Sequence, residues 1–82
     1  MWYVYILECS DGTLYTGITT DLDKRVTKHN NGKGAKYTRV RLPVLLKASF
    51  EATDRSEASK EEYRIKQLSR KQKLELINEK SN

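Results

Sequence analysis

Two short apolar runs, separated by Ser10-Asp11-Gly12, set the first constraint on what this chain can fold into. In YVYILECSDGTLYTG (Tyr3 to Gly17) each run is rich in aromatic and β-branched residues and too short for a helix. The pair therefore reads as a β-hairpin. The turn decides which side chains meet. A two-residue type I′ turn at Asp11-Gly12 would pair Ser10 with Thr13 and leave Tyr5 and Tyr15 on opposite faces. A three-residue loop Ser10-Asp11-Gly12, closed by a left-handed glycine, pairs Cys9 with Thr13 instead. That register sets Tyr5 across from Gly17 and Leu7 across from Tyr15, so the two phenols become diagonal neighbours on one face. Glycine in third position favours the three-residue loop. Three of the chain's five tyrosines sit on this hairpin, where phenylalanine would pack without needing a hydrogen-bond partner. The plain alternative is that tyrosine pairs simply pack well on strands.

After the hairpin, TTDLDKRVTKHNNG reads as a helix, with Thr20 as its N-cap, Asp21 and Asp23 at its positive end and Gly32 as a stop. Leu22 and Val26 mark its apolar face. At 100° per residue His29 falls about 20° from Leu22, and Arg25 about 60° from it. The imidazole and, in part, the guanidinium point inward, and a buried guanidinium needs a partner or an anionic ligand. Residues 33–43 read as a basic, irregular loop ending at the only proline. VLLKASF (44–50) is a third strand. Thr53 or Asp54 caps a second helix, DRSEASKEEYRIKQL, with Ala58, Ile65 and Leu68 on its buried stripe. SRKQKLELINEK is a shorter basic helix that frays at its end. The expected fold is a small α+β domain over residues 1–82: a three-stranded antiparallel sheet flanked by helices, in the order β-β-α-β-α-α.

The chain has 82 residues, one cysteine (Cys9), one histidine (His29) and a net charge of +5. That length allows a single core. One cysteine and one histidine exclude an internal disulfide and a four-ligand Cys/His zinc site, and fit a reducing, cytoplasmic setting. No apolar run is long enough to span a membrane. Charge is distributed unevenly. Between Asp23 and Glu51 there is no acidic residue, yet there are eight basic ones: Lys24, Arg25, Lys28, Lys33, Lys36, Arg39, Arg41 and Lys47. A one-sided patch of this kind attracts polyanions, nucleic acid first. Gly32-Lys33-Gly34 lacks both the spacing and the preceding strand of a P-loop. Tyr37, set among Lys36, Arg39 and Arg41, is placed to stack on an unpaired base or to face solvent.

Tyr3-Val4-Tyr5, followed ten residues later by Tyr15-Thr16-Gly17, resembles the paired motif of the GIY-YIG nuclease family. Arg25 stands eight residues after Gly17, as that family's catalytic arginine does. His29 comes four later, where the family carries tyrosine or histidine, and Glu62 matches its metal-binding glutamate. The run Gly32 to Arg39 and the ending EYRIKQLSRKQK look like a small bacterial subgroup of stand-alone members. The resemblance implies hydrolysis of nucleic-acid phosphodiesters with one divalent ion, Mg²⁺ or Mn²⁺. Two departures stand out: the glycine and isoleucine of the first motif are Tyr3 and Val4, and the lysine that some repair-type members carry after the second motif is Ile18.

The same residues can be weighed by their chemistry. In-line attack of water on a phosphodiester needs a base, cations for the developing charge and a metal for the leaving oxygen. A free phenol, pKa about 10, is ionised about once in a thousand at neutral pH. A neighbouring Arg25 should raise that fraction, and a phenol base predicts cleavage quickening from about pH 7 to 9. Tyr5 or Tyr15 is the candidate base, Tyr5 preferred. Arg25 suits the phosphate, and His29 suits a relay or a buried structural role. Periodicity does not choose between Glu61 and Glu62; the resemblance selects Glu62, whose bland role is an i,i+4 partner of Lys66. One carboxylate with water and phosphate oxygens is a normal Mg²⁺ site. The expected function is a structure-selective DNA endonuclease, a monomer acting in repair or processing, with Lys33, Lys36, Tyr37, Arg39, Arg41, Lys66 and Arg70 on the nucleic acid and a repair-complex subunit as a possible partner. The alternative is a nucleic-acid-binding module of the same fold that cleaves little or not at all.

Overall fold

The hairpin is closed by the three-residue loop. In the computed structural model, which describes residues 1–81, the Cys9 amide donates to Thr13 O (2.8 Å) and the Gly12 amide to Cys9 O (2.9 Å), with Gly12 at φ 82°. The Asp11 carboxylate accepts from the Thr13 amide and hydroxyl and stiffens the turn. Strand β1 (Trp2–Glu8) therefore pairs with β2 (Leu14–Thr19) in the register Leu7↔Tyr15 and Tyr5↔Gly17. Strand β3 (Leu45–Ala52) runs antiparallel along the other side of β1, giving the order β2-β1-β3. The pairing slips between Ile6 and Leu7, so Lys47 is the extra residue of a bulge.

Being central, β1 is covered on both faces, which explains why four consecutive residues, Val4 to Leu7, are buried. On one face Val4, Ile6, Ala48 and Ala52 pack against Ala58 and Ile65 of α3 (Arg55–Lys66) and Ile77 of α4 (Arg70–Ser81). On the other, Tyr5, Leu7, Cys9 and Val44 pack against Leu22 and Val26 of α1 (Leu22–Asn30) and against Tyr15 and Leu42. The hairpin register puts Tyr5 and Tyr15 together in this second cluster.

Carboxylates cap α1 and α3, while Ser69 caps α4 by accepting from the Gln72 amide (3.2 Å). Asp21, rather than Thr20, caps α1 by accepting from the Lys24 amide (3.1 Å), and Asp54 caps α3 by accepting from the Glu57 amide (2.8 Å). Aspartate beats threonine at Ncap by adding charge to the hydrogen bond at the positive helix end. Two expectations for the later segments need correction. The 33–43 segment is not wholly irregular: Lys36–Arg39 forms one short helix, α2, with Thr38 buried. The last helix is not shorter than α3, since both span 12 residues. The amide side chain of Asn30 exchanges two hydrogen bonds with the backbone of Val44 (3.1 and 2.8 Å). It pins the end of the basic segment to α1, so that α2 is held over the buried phenol.

Candidate active site

At the centre of the second cluster the Tyr5 side chain, 1% exposed, reaches across β2 towards α1. Its path exists because Gly17 lies opposite: a Cβ there would overlap the hydroxyl and come within 2.6 Å of Cζ. The Tyr5 oxygen lies 2.9 Å from His29 Nε2 and accepts from Arg25 Nε at 3.3 Å. Helical geometry supplies both partners, because positions 25 and 29 are four apart on one face of α1.

His29 is fully buried, and its other ring nitrogen lies 2.8 Å from Thr38 Oγ1 on α2. Thr38 Oγ1 donates to Ala35 O (3.0 Å), and a hydroxyl has one proton. Its lone pair therefore faces the ring, Nδ1 carries the proton, and Nε2 is free to accept from Tyr5. The Ala35 amide also aims its N–H at Nδ1 (3.4 Å), a bond that only the opposite tautomer would complete; the much shorter Thr38 contact outweighs it. Gly34 lets the segment come this close, since a Cβ there would sit 2.7 Å from the His29 Cγ.

Burial pushes the Tyr5 phenol above its ordinary pKa of 10; Arg25 opposes that push and the charges of Tyr15 and Glu62 add to it. The neighbouring guanidinium favours the phenolate as expected, but desolvation of the buried oxygen outweighs it, so the net shift is upward. The imidazole is pushed down to about 4, first by burial and then by Arg25. Both groups are neutral around pH 7. Arg25 itself is half-buried, and among the described residues no carboxylate pairs with it. A cation in that position lacks an anion.

Tyr15 stands beside this trio, its ring 5.5 Å edge-on from that of His29. Tyr37 stacks on Tyr15 at 5.9 Å, and the Arg41 guanidinium lies 4.0 Å from the Tyr37 ring centre. Arg41 also donates to Asp11 (3.1 Å) and to Tyr37 O (2.8 Å), so it ties the basic segment to the hairpin turn. Arg70 is similarly engaged, donating to Gly12 O. Lys33, Lys36 and Arg39 are exposed and make no such bond among the described residues. Thr38 was invisible to sequence reading: its buried bond to His29 needs a helix that the sequence did not announce. The only signal was a threonine among four basic residues.

Glu62 lies on α3, against the opposite face of the sheet. Its ion pair is with Lys66 (3.3 Å), and its charge is nevertheless felt by Tyr5. Glu61 is bonded to Arg64 (3.1 Å). Among the described residues no three His, Cys, Asp or Glu side chains converge as a metal cage. Glu62 therefore offers a single carboxylate, and any divalent ion there would have to take its other ligands from outside the protein.

These residues match a known domain. The model of the GIY-YIG catalytic domain aligns with residues 1–75. The chain belongs to the GIY-YIG family. It is 60% identical over 77 residues to a UPF0213 protein of Halobacterium salinarum, covering 94% of this chain and all of that one. It is 58% identical over 77 residues to a UPF0213 protein of Desulfotalea psychrophila, covering 93% of this chain and 70% of that one. Among solved structures, the solution structure of a UPF0213 protein from Bacillus halodurans superposes with a TM-score of 0.63 at 53% identity, covering 98% of this chain and 86% of the other. A protein from E. faecalis gives 0.62 at 45% identity, covering 93% and 81%. The family is one of nucleases, and its members generally depend on a divalent metal. Among the described residues, no helix is long and apolar enough to cross a membrane.

Proposed function

We propose that the protein is a metal-dependent endonuclease that hydrolyses DNA phosphodiester bonds, selecting by structure rather than by base sequence. One observation carries this reading: the Tyr5 oxygen is held between a neutral imidazole at 2.9 Å and a guanidinium at 3.3 Å that has no carboxylate partner. A phosphodiester supplies the missing anion. Arg25 orients the phosphate and stabilises charge on its oxygens in the transition state. Water gives a proton to the Tyr5 oxygen as the phenol passes its own to His29 Nε2. The oxygen of that water bonds to phosphorus, and the bond to the leaving oxygen breaks. Thr38 holds the ring in the accepting tautomer throughout. A phosphate on Arg25 also cancels one of the two influences that depress the imidazole pKa, so the relay gains basicity when substrate is bound. Glu62 would hold one Mg²⁺ or Mn²⁺, whose chemistry is to neutralise charge on the leaving oxygen.

Lys33, Lys36, Arg39, Lys66 and the other exposed bases would neutralise backbone charge, and no element here reads base edges. If roughly five phosphates are engaged, log K should fall with log salt at a slope of about −4 to −5. The Lys66 ion pair on Glu62 and the near-complete burial of Tyr5 favour a second reading, a nucleic-acid-binding module with little or no cleavage. Incubating supercoiled plasmid and branched DNA with and without Mg²⁺ separates the two. For the nuclease, metal-dependent nicks appear with wild type and vanish in Glu62→Ala while DNA retention on a gel persists. Equal residual nicking by both proteins would reject it.

A further inference from the structure

The row of contacting rings that begins at Tyr5 and His29 continues through Tyr15 to Tyr37 and ends at a cleft beside the hairpin turn. Thr13, Leu14, Tyr37, Arg70 and Lys73 line it, and it encloses about 210 Å³. Two cations and no carboxylate face it. Leu14 and Tyr37 supply apolar surface, Tyr37 with 39% of its area still exposed after Tyr15 and Arg41 have covered part of the ring. Arg70 spends one amino group on Gly12 O, which fixes its guanidinium at the rim and leaves its remaining N–H groups for an anion. Lys73 is one turn further along α4 and flanks the same opening.

We infer that this cleft is a subsite for one unpaired nucleotide next to the cleaved bond, its phosphate held by Arg70 and Lys73 and its base and sugar packed on Tyr37 and Leu14. The inference deepens the nuclease reading and rests on it for the position of the scissile phosphate. The cleft is smaller than the roughly 300 Å³ at which sites for drug-sized ligands begin. Its size matches one nucleoside rather than a base pair. An aromatic ring with flanking cations is the usual platform for a single-stranded nucleotide, because every base has a stacking face and every link a charge. Structure selectivity follows without base readout: a flap, gap or fork can spare an unpaired nucleotide, and an intact duplex must unstack one at a cost.

The test reads binding without metal or cleavage. The ¹⁵N-labelled protein is titrated with 5′-phosphorylated thymidine dinucleotide and with the same molecule lacking its 5′-terminal base. The subsite predicts amide shifts centred on Thr13, Leu14, Tyr37 and Lys73, with binding roughly tenfold weaker for the abasic probe. In Tyr37→Leu the two probes should bind equally, and Lys73→Glu should weaken both several-fold. Lys73 forms no cation–π pair with a described ring, so that variant tests the cleft even where Tyr37→Leu disturbs Tyr15. Equal affinity of the two probes for wild type, or shifts confined to other surfaces, overturns the inference. Nicking of plasmid with no shifts here would remove the subsite and leave the nuclease; shifts here with no nicking would do the reverse.

Discussion

The Tyr5 oxygen and His29 Nε2, separated by 24 positions in sequence, meet at 2.9 Å in the interior of the protein. Neither group can make this bond alone. The phenol needs a strand that aims it away from α3 and α4, and the imidazole needs a helix that turns inward. Both need Thr38 to set the proton on Nδ1.

Replacing Tyr5 by phenylalanine keeps the ring and deletes the bond. Cleavage should fall by about 10²–10⁴, the range for a lost proton-transfer group, with DNA retention unchanged. Stability should drop by about 1–3 kcal/mol, because His29 Nε2 is left buried without a partner. Tyr15→Phe should cost much less in rate, since no hydrogen bond joins its hydroxyl to the trio. Plasmid nicking and urea titration of both variants check the ranking, and equal losses would mean that Tyr15 shares the proton transfer.

At Gly17 a single methyl is the probe. Alanine would place Cβ 2.6 Å from Tyr5 Cζ, with no flexible end to move aside. Destabilisation of about 1–3 kcal/mol is expected from overpacking, together with loss of cleavage close to that of Tyr5→Phe. A Gly17→Ala protein with wild-type stability in urea would show that the phenol does not lie against this strand.

His29 links stability to pH. Its pKa is about 4 when folded and about 6.5 when unfolded. Between these values the unfolded chain binds more protons, so stability rises with pH there. The contribution is complete above about pH 6.5 and is lost as pH falls through about 4. Urea midpoints should decline over that window by the equivalent of about 3 kcal/mol, and the decline should shrink in His29→Gln. In ¹⁵N spectra at pH 7 the ring should be neutral with its proton on Nδ1. A positively charged ring at pH 6 would contradict this geometry.

The rate profile distinguishes the relay from a rare phenolate. With His29 as the final acceptor, kcat/KM should be level from about pH 6 to 9 and fall on the acid side as the free-enzyme imidazole titrates near 4. A base that must first ionise at Tyr5, whose pKa lies above 10 through burial and the charges of Tyr15 and Glu62, would instead give unit slope from pH 7 past pH 9 without a plateau. That steady rise would exclude the relay.

Local chemistry made much of the fold legible. Glycine at the third loop position, the apolar run from Val4 to Leu7 and the cap before α3 are short-range signals, and they sufficed for the hairpin register and the order of elements along the chain. The inward aim of Arg25 and His29 also follows from the sequence, because helical periodicity is a local property. What tertiary packing alone decided is the state of the site. Whether the Tyr5 pKa ends below or above its ordinary value depended on how deeply the oxygen is desolvated. Whether Arg41 is free for phosphate depended on Asp11, thirty positions away, which now holds it. Whether His29 accepts or donates depended on Thr38, on a helix too short to leave a periodic trace. These are energies of burial and of partners distant along the chain, and no run of residues records them until the segments are brought together.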